Sequence, residues 1–157
     1  MASRDYEEFI AALNARGANY LIIGAHAVAY HARPRARKDL GLFIEPTAAN
    51  ARKVLAAMRD FFDGADLGYT ASDLIDPRWI VQLGVAPTRI DLMAEVSGVG
   101  SYRSAWDGRA DATFGPVPAH YLGLDDLIRA KTAADREQDR ADLRALRRAK
   151  RAKRSGR

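Results

Sequence analysis

Residues 20–46 read YLIIGAHAVAYHARPRARKDLGLFIEP, and the class of fold can be predicted from their pattern. It begins with the apolar run 20–23, which predicts a short β-strand. Gly24 then opens a segment of small residues that predicts a tight turn and a helix. After the breaker Arg33-Pro34, residues 38–44 predict a second strand. The order strand, glycine turn, helix, strand favours a mixed sheet with helices packed against it.

The rest of the chain continues this alternation. Tyr6, Phe9, Ile10 and Leu13 have the i, i+3, i+4, i+7 spacing of one helical face, so residues 4–16 predict a helix. Thr47 is expected to cap the next helix. Runs 79–83 and 89–93 predict two strands joined by a hairpin turn at 86–88. Residues 98–118 look turn-rich, with a β-like piece at 112–114, and the pattern is helical from 122 onward.

We therefore predict an α+β (mixed α/β) protein. At 157 residues, the chain is long enough for one domain and too short for two ordinary ones. The expected division is a core domain at 1–135 and a C-terminal helix with a basic tail at 136–157.

Composition indicates where the protein is expected to be found and which kinds of site it cannot have. No apolar run approaches the roughly 18 residues needed to cross a bilayer, so no membrane contact is expected. The N-terminus carries acidic residues where a secretory signal would be basic and apolar. There is no cysteine, which excludes disulfides and thiolate metal sites and fits a cytoplasmic protein.

The net charge of +5 is concentrated at one end. Eight basic residues and no acidic ones follow Leu143, so the rest of the chain has a net charge of −3 (+5 less 8). Contact with RNA, DNA or a nucleotide-bearing partner is one interpretation of this tail. A solvated terminal helix is the other, since no aromatic residues are interleaved for base stacking.

Two aspartates on predicted strands are candidates for metal chemistry. Asp39 and position 41 share one face of their strand, so carboxylates at both would point at one Mg²⁺, but position 41 is a glycine. Asp91 lies between Ile90 and Leu92, where an isolated charge would be costly. It is expected either to bind a metal or to pair with Arg89 or a neighbouring arginine.

The run 20–46 followed by VQLGVAPTRIDLM at 81–93 resembles the DNA polymerase β-type nucleotidyltransferase superfamily, in its small stand-alone prokaryotic branch near the AbiEii-like toxins and minimal nucleotidyltransferases. The similarity extends over about 20–143. It implies a nucleotidyltransferase-type central mixed sheet flanked by helices. It also implies transfer of a nucleoside monophosphate from a Mg²⁺- or Mn²⁺-bound nucleoside triphosphate to a hydroxyl.

The resemblance assigns roles to particular residues. Asp39 and Asp91 are the expected catalytic and metal-binding carboxylates, and Gly41 stands where the superfamily has a further metal-binding aspartate. Contacts to the triphosphate are expected from Gly24, Ala25, Arg35, Arg37, Lys38 and Lys131. A solvated loop remains the alternative for the arginines and lysine before Asp39, and an ordinary charged helix face remains the alternative for Lys131.

The acceptor and the level of activity are left open by the sequence. The acceptor hydroxyl belongs to a tRNA, a protein or a small molecule, and the oligomeric state is not indicated. Because Gly41 offers no ligand, nucleotide binding is expected to survive better than turnover. The alternative is an inactive homologue that acts as a nucleotide- or partner-binding module in a toxin–antitoxin system.

Overall fold

The computed structural model describes residues 2–34, 39–85 and 88–156, and within them the chain forms seven helices and six strands. The helices are α1 (Ala2–Ala15), α2 (Gly24–His31), α3 (Ala48–Phe61), α4 (Ala71–Ile75), α5 (Tyr102–Asp107), α6 (Leu124–Ala134) and α7 (Glu137–Gly156). The strands are β1 (Tyr20–Ile23), β2 (Leu40–Ile44), β3 (Ile80–Leu83), β4 (Ile90–Met93), β5 (Ala110–Phe114) and β6 (Val117–Tyr121).

The six strands form one mixed sheet in the order β3-β4-β2-β1-β6-β5. The central pairs β2–β4 and β1–β6 are parallel, whereas β1–β2 and the outer hairpins β3–β4 and β5–β6 are antiparallel. Helices flank the sheet, and the predicted mixed α/β class is confirmed.

The two faces of the central strand β2 differ. Leu40, Leu42 and Ile44 are fully buried, because they point into the main hydrophobic core. Gly41 lies on the other face, which is partly exposed near the start of the strand. The predicted cap of α3 is also confirmed, since the backbone N–H of Asn50 donates to Thr47 Oγ1 at 3.1 Å.

The prediction for residues 98–118 was incomplete, because they form α5, β5 and the first part of β6. Pro118 obscured β6, since proline cannot donate to a sheet ladder and is unusual inside a central strand. In the structure Tyr121 is the residue of β6 that pairs with β1. The missing N–H of Pro118 therefore costs no hydrogen bond between these two strands. Asp111 to Phe114 pair with the other edge of β6 instead.

Helices α6 and α7 pack against each other through a buried ion cluster. The Lys131 ammonium lies 3.0 Å from Asp139 Oδ1 and 3.1 Å from Asp142 Oδ2. Arg136 adds a hydrogen bond to Asp139 Oδ2 at 2.7 Å. Asp135, in the left-handed conformation, makes the turn between the two helices. This turn coincides with the predicted boundary at 135, and the division into a core domain and a C-terminal segment stays a prediction.

No helix in the described ranges is both long enough and apolar enough to cross a bilayer.

We predict that Asp139→Asn lowers the free energy of unfolding at neutral pH by about 2 kcal/mol. Burial alone would raise the pKa of Asp139, but hydrogen bonds from Arg136 and Lys131 outweigh it and hold the pKa at about 2, below its usual 3.8. A depressed folded-state pKa stabilises the protein above the unfolded-state value. This contribution is lost as the pH falls from about 4 to about 2.

Urea unfolding of the wild type and the variant across that pH range measures the effect. The exposed Asp107→Asn is the control. The difference between wild type and Asp139→Asn must shrink on acidification, and a difference that stays constant from neutral pH to about pH 2 would contradict the assignment.

Candidate functional site

The strand register places the sequence-predicted carboxylates on one edge of the sheet. Asp91 of β4 lies opposite Gly41 of β2, and Gly41 lies opposite Ile23 of β1. Asp39 precedes Gly41 by two residues and therefore belongs to the same face. Helix α2 begins directly after Ile23, so its first turn lies at the edge that carries Asp39.

The guanidinium of Arg89 joins the two carboxylates. Its Nε lies 2.9 Å from Asp91 Oδ1, and its Nη2 lies 3.1 Å from Asp39 Oδ2. The backbone N–H of Arg89 also donates to Asp39 Oδ1 at 3.3 Å. The pairing of Asp91 with Arg89, one of the two alternatives left open by the sequence, is thus present. The three side chains together carry one net negative charge.

These groups are only partly shielded from water. The side chains of Asp39, Asp91 and Arg89 are 22%, 18% and 33% exposed. The hydrogen bond from Arg89 to Asp91 and the charge of that carboxylate raise the pKa of the guanidinium, which stays protonated. Arg89 therefore holds the two carboxylates, which remain accessible to a ligand from solution.

At position 41 a side chain would be in tight contact with Ile23. A Cβ built on Gly41 would lie 3.2 Å from Ile23 Cγ1 and 3.6 Å from Ile23 Cδ1. The backbone of Gly41 is outside the left-handed region, so its conformation accepts a side chain. The barrier to an aspartate here is the neighbouring isoleucine, and not the strand itself.

The turn between β1 and α2 is open. Gly24 has φ +69°, a left-handed conformation that favours glycine, and no atom lies within 4 Å of where its Cβ would be. No side chain caps the helix at Ile23, and Gly24 and Ala25 are half-exposed. Their contact with phosphate stays a prediction.

Tyr6 also supports the site, a role that sequence reasoning missed. Tyr6 of α1 donates from its hydroxyl to the backbone carbonyl of Arg89 at 3.3 Å, and its ring packs edge-on against His26 of α2 with centroids 5.6 Å apart. Burial, then the charge of Asp39, raises the pKa of Tyr6. Tyr6 had a clear signal only as a core residue, because its partner Arg89 is 83 positions away.

The remaining predicted contacts lie elsewhere or outside the described residues. Lys131 is buried in the α6–α7 cluster, where its ammonium already faces Asp139 and Asp142. Its contact with a triphosphate stays a prediction. Arg35, Arg37 and Lys38 lie outside the described residues.

The donor set fits one magnesium ion better than two. Among the described residues there is no group of three or more His, Cys, Asp or Glu side chains able to hold a metal ion. Asp39 and Asp91 are the two carboxylates available, and Mg²⁺ commonly takes one or two carboxylates and completes its shell with water and substrate phosphates. A second ion would have no ligand from position 41.

Comparison with known proteins assigns the chain to a family of transferases. The family described as "Nucleotidyl transferase of unknown function (DUF2204)" matches residues 2–156, nearly the whole chain. No curated protein matches significantly. Membership implies a nucleotide substrate and transferase chemistry in the broad sense. The chain belongs to this nucleotidyl transferase family.

Proposed function

We propose that the protein binds a magnesium–nucleoside triphosphate at Asp39 and Asp91 and transfers the nucleoside monophosphate to a hydroxyl acceptor. The observation that carries this proposal is the meeting of these two carboxylates on neighbouring strands, at the sheet edge where α2 begins. Family membership supports the same class of reaction.

Asp39 and Asp91 would together hold one magnesium ion, with water and phosphate oxygens as its other ligands. Bound there, the ion neutralises charge that develops on the transferring phosphoryl group. The two carboxylates orient the complex. Most of the catalysis in such a reaction is positioning and charge neutralisation, which these strand-borne residues are suited to supply.

Arg89 would exchange its partners when the metal complex binds. Its guanidinium now occupies the space between the carboxylate oxygens, so a cation cannot join both until the guanidinium moves. A displaced arginine would find a new partner in the phosphates, whose oxygens match its paired N–H donors. Arg89 thus stabilises the free site and then contacts the substrate.

The first turn of α2 would bind the β- and γ-phosphates. The N–H groups at a helix N-terminus point outward and favour anions. At Gly24 the absence of a side chain leaves open space beside the backbone.

The acceptor oxygen then forms its bond to the α-phosphorus while the bond to pyrophosphate breaks. A tRNA, a protein and a small hydroxylated molecule are all candidate acceptors.

A second candidate function is a nucleotide- or partner-binding module without turnover, in a toxin–antitoxin system of the kind that the AbiEii-like resemblance implies. Position 41 favours it. The glycine supplies no metal ligand, and a Cβ at this position would be crowded by Ile23. Incubation with each α-labelled nucleoside triphosphate, Mg²⁺ or Mn²⁺ and total tRNA separates the two functions, because only a transferase labels an acceptor.

We predict that Gly41→Asp combined with Ile23→Ala strengthens Mn²⁺ binding by about ten-fold or more, because a third carboxylate joins Asp39 and Asp91. Gly41→Asp alone is expected to give a smaller gain, since its Cβ is crowded by Ile23 at 3.2 Å. Isothermal titration with Mn²⁺ measures the affinity, and the labelling assay measures any gain in transfer.

Gly41→Ala with Ile23→Ala is the matched control, because it makes the same steric change without a ligand. If this control binds Mn²⁺ as tightly as the aspartate variant, the added carboxylate does not reach the ion, and the placement of the metal between Asp39 and Asp91 is wrong.

We also predict two effects of Arg89→Gln. The variant should bind free Mn²⁺ more tightly than the wild type does in the absence of nucleotide, and its affinity for Mn²⁺–ATP should fall relative to its affinity for the free ion. Removing the guanidinium frees both carboxylates but deletes a phosphate contact. Without metal, the variant should unfold at a lower urea concentration than the wild type, because Asp39 and Asp91 lose their shared cation.

Arg78→Gln is the control for this variant. Arg78 makes a similar pair with an aspartate two residues away, Asp76, with Nη2 and Oδ2 2.8 Å apart, outside the site. Unchanged Mn²⁺ affinity in Arg89→Gln would show that Arg89 does not compete with a metal.

A further inference from the structure

We propose that the outward face of α7 and the cleft beside it bind the phosphate backbone of a double-helical RNA. The choice of RNA rests on the proposed function, because that reaction needs an acceptor hydroxyl and RNA carries them on every ribose. The binding surface itself is argued from the charges and packing of α7.

Five arginines form a stripe along the exposed side of α7. At 100° per residue they fall within an arc of about 120°, opposite the buried side of the helix, and the stripe runs about 15 Å along the axis. All five are exposed, and none forms an ion pair within the part of the chain that the structure describes. We call this the arginine stripe: Arg144, Arg147, Arg148, Arg151 and Arg154.

The helix that carries the arginine stripe is fixed to the body of the protein. Leu146 is fully buried and Leu143 nearly so, and the Lys131 cluster holds the first turns of α7. Lys150 pairs with Asp125 of α6, with Nζ and Oδ1 2.7 Å apart. The stripe is therefore presented on a supported surface, which reduces the entropy lost on binding.

This packing disfavours a membrane surface as the partner. An interfacial helix needs a free apolar face to insert between lipids. In α7 the leucines face the protein, and the only apolar residues after Leu146 are Ala149 and Ala152. What α7 leaves exposed is charge.

The basic half of α7 lies at the same edge of the sheet as the candidate site. Strands β1 and β6 are parallel neighbours, with Ile22 paired to Tyr121, so α2 and α6 begin at one edge. The pair between Lys150 and Asp125 holds α7 to the first turn of α6. An RNA along the stripe would therefore approach the edge that carries Asp39.

A cleft of about 440 Å³ adjoins the stripe, between α5, α6 and the end of α7. Its two carboxylates are already paired, Asp125 with Lys150 and Asp126 with Arg129. The cleft also contains Lys153 and Arg154, which form no ion pair in the described ranges. Because Arg154 already belongs to the stripe, the cleft adds one further positive charge, that of Lys153, on the side facing α6.

The chemistry of this surface fits a duplex better than a single strand. Helix α7 contains no aromatic residue on which bases could stack, so the expected contacts are to phosphates. Arginine is well suited to them, because its planar donors match phosphate oxygens. Binding should therefore depend on salt and little on sequence.

The test uses fluorescence anisotropy with a labelled RNA stem-loop at several salt concentrations. Arg147→Gln/Arg148→Gln/Arg151→Gln removes three charges from the stripe. The matched control, Arg52→Gln/Lys53→Gln/Arg59→Gln, removes the same charge from exposed positions of α3. The stripe variant is expected to bind about ten-fold or more weaker, and its salt slope should fall by about three, roughly one per lost phosphate contact.

An equal loss of RNA affinity in the α3 control would overturn the proposal, because net charge alone would then explain binding. So would absence of RNA binding by the wild type, or binding to anionic vesicles or to DNA duplex of the same sequence in place of RNA. Calorimetry of Mg²⁺–ATP binding to the same variants tests the nucleotide site separately from the RNA surface. ATP binding without RNA binding refutes the stripe alone, and RNA binding without ATP binding refutes the nucleotide site.

Discussion

The ion pairs of the Arg89 guanidinium with Asp39 and Asp91 are the interaction on which the candidate site depends. It exists because β2 and β4 are parallel neighbours in a register that sets Asp91 beside Gly41. Two carboxylates at this spacing would repel each other at a half-buried sheet edge, and one arginine reduces that repulsion. Tyr6 fixes the backbone of Arg89 from α1, so the helical layer also contributes to the geometry.

Position 41 bears on the activity of the protein and not on its fold. In the superfamily that the sequence resembles, position 41 carries a carboxylate. In this chain it is a glycine, and a Cβ there would be in tight contact with Ile23 of the adjacent strand. In the proposed function, Asp39 and Asp91 hold one magnesium ion, whose remaining ligands come from the nucleotide and water. Nucleotide binding is the more robust part of the proposed function, and turnover the more sensitive.

Local sequence patterns were sufficient for much of the fold, because short apolar runs, glycine turns and helix caps act within a few residues. They predicted the strand at 20–23, the cap at Thr47 and the outer hairpin β3–β4. They also left open the pairing of Asp91 with Arg89. The local patterns missed features that depend on strand register or on distant contacts. These are the contact of Ile23 with position 41, the hydrogen bond from Tyr6 to Arg89, and strand β6, which Pro118 obscured. The burial of Lys131 beside Asp139 and Asp142 is likewise set by the packing of two helices.

The proposed function requires Asp39 and Asp91 to hold a single metal–nucleotide complex in place of Arg89. Counting Mn²⁺ ions by electron paramagnetic resonance, with a saturating nucleoside triphosphate that has a non-cleavable α,β-bridge, tests it most directly. We expect one protein-dependent Mn²⁺ per chain, bound more tightly with nucleotide than without it and lost in Asp91→Asn. Two bound ions per chain, or one ion that survives Asp91→Asn, would contradict it.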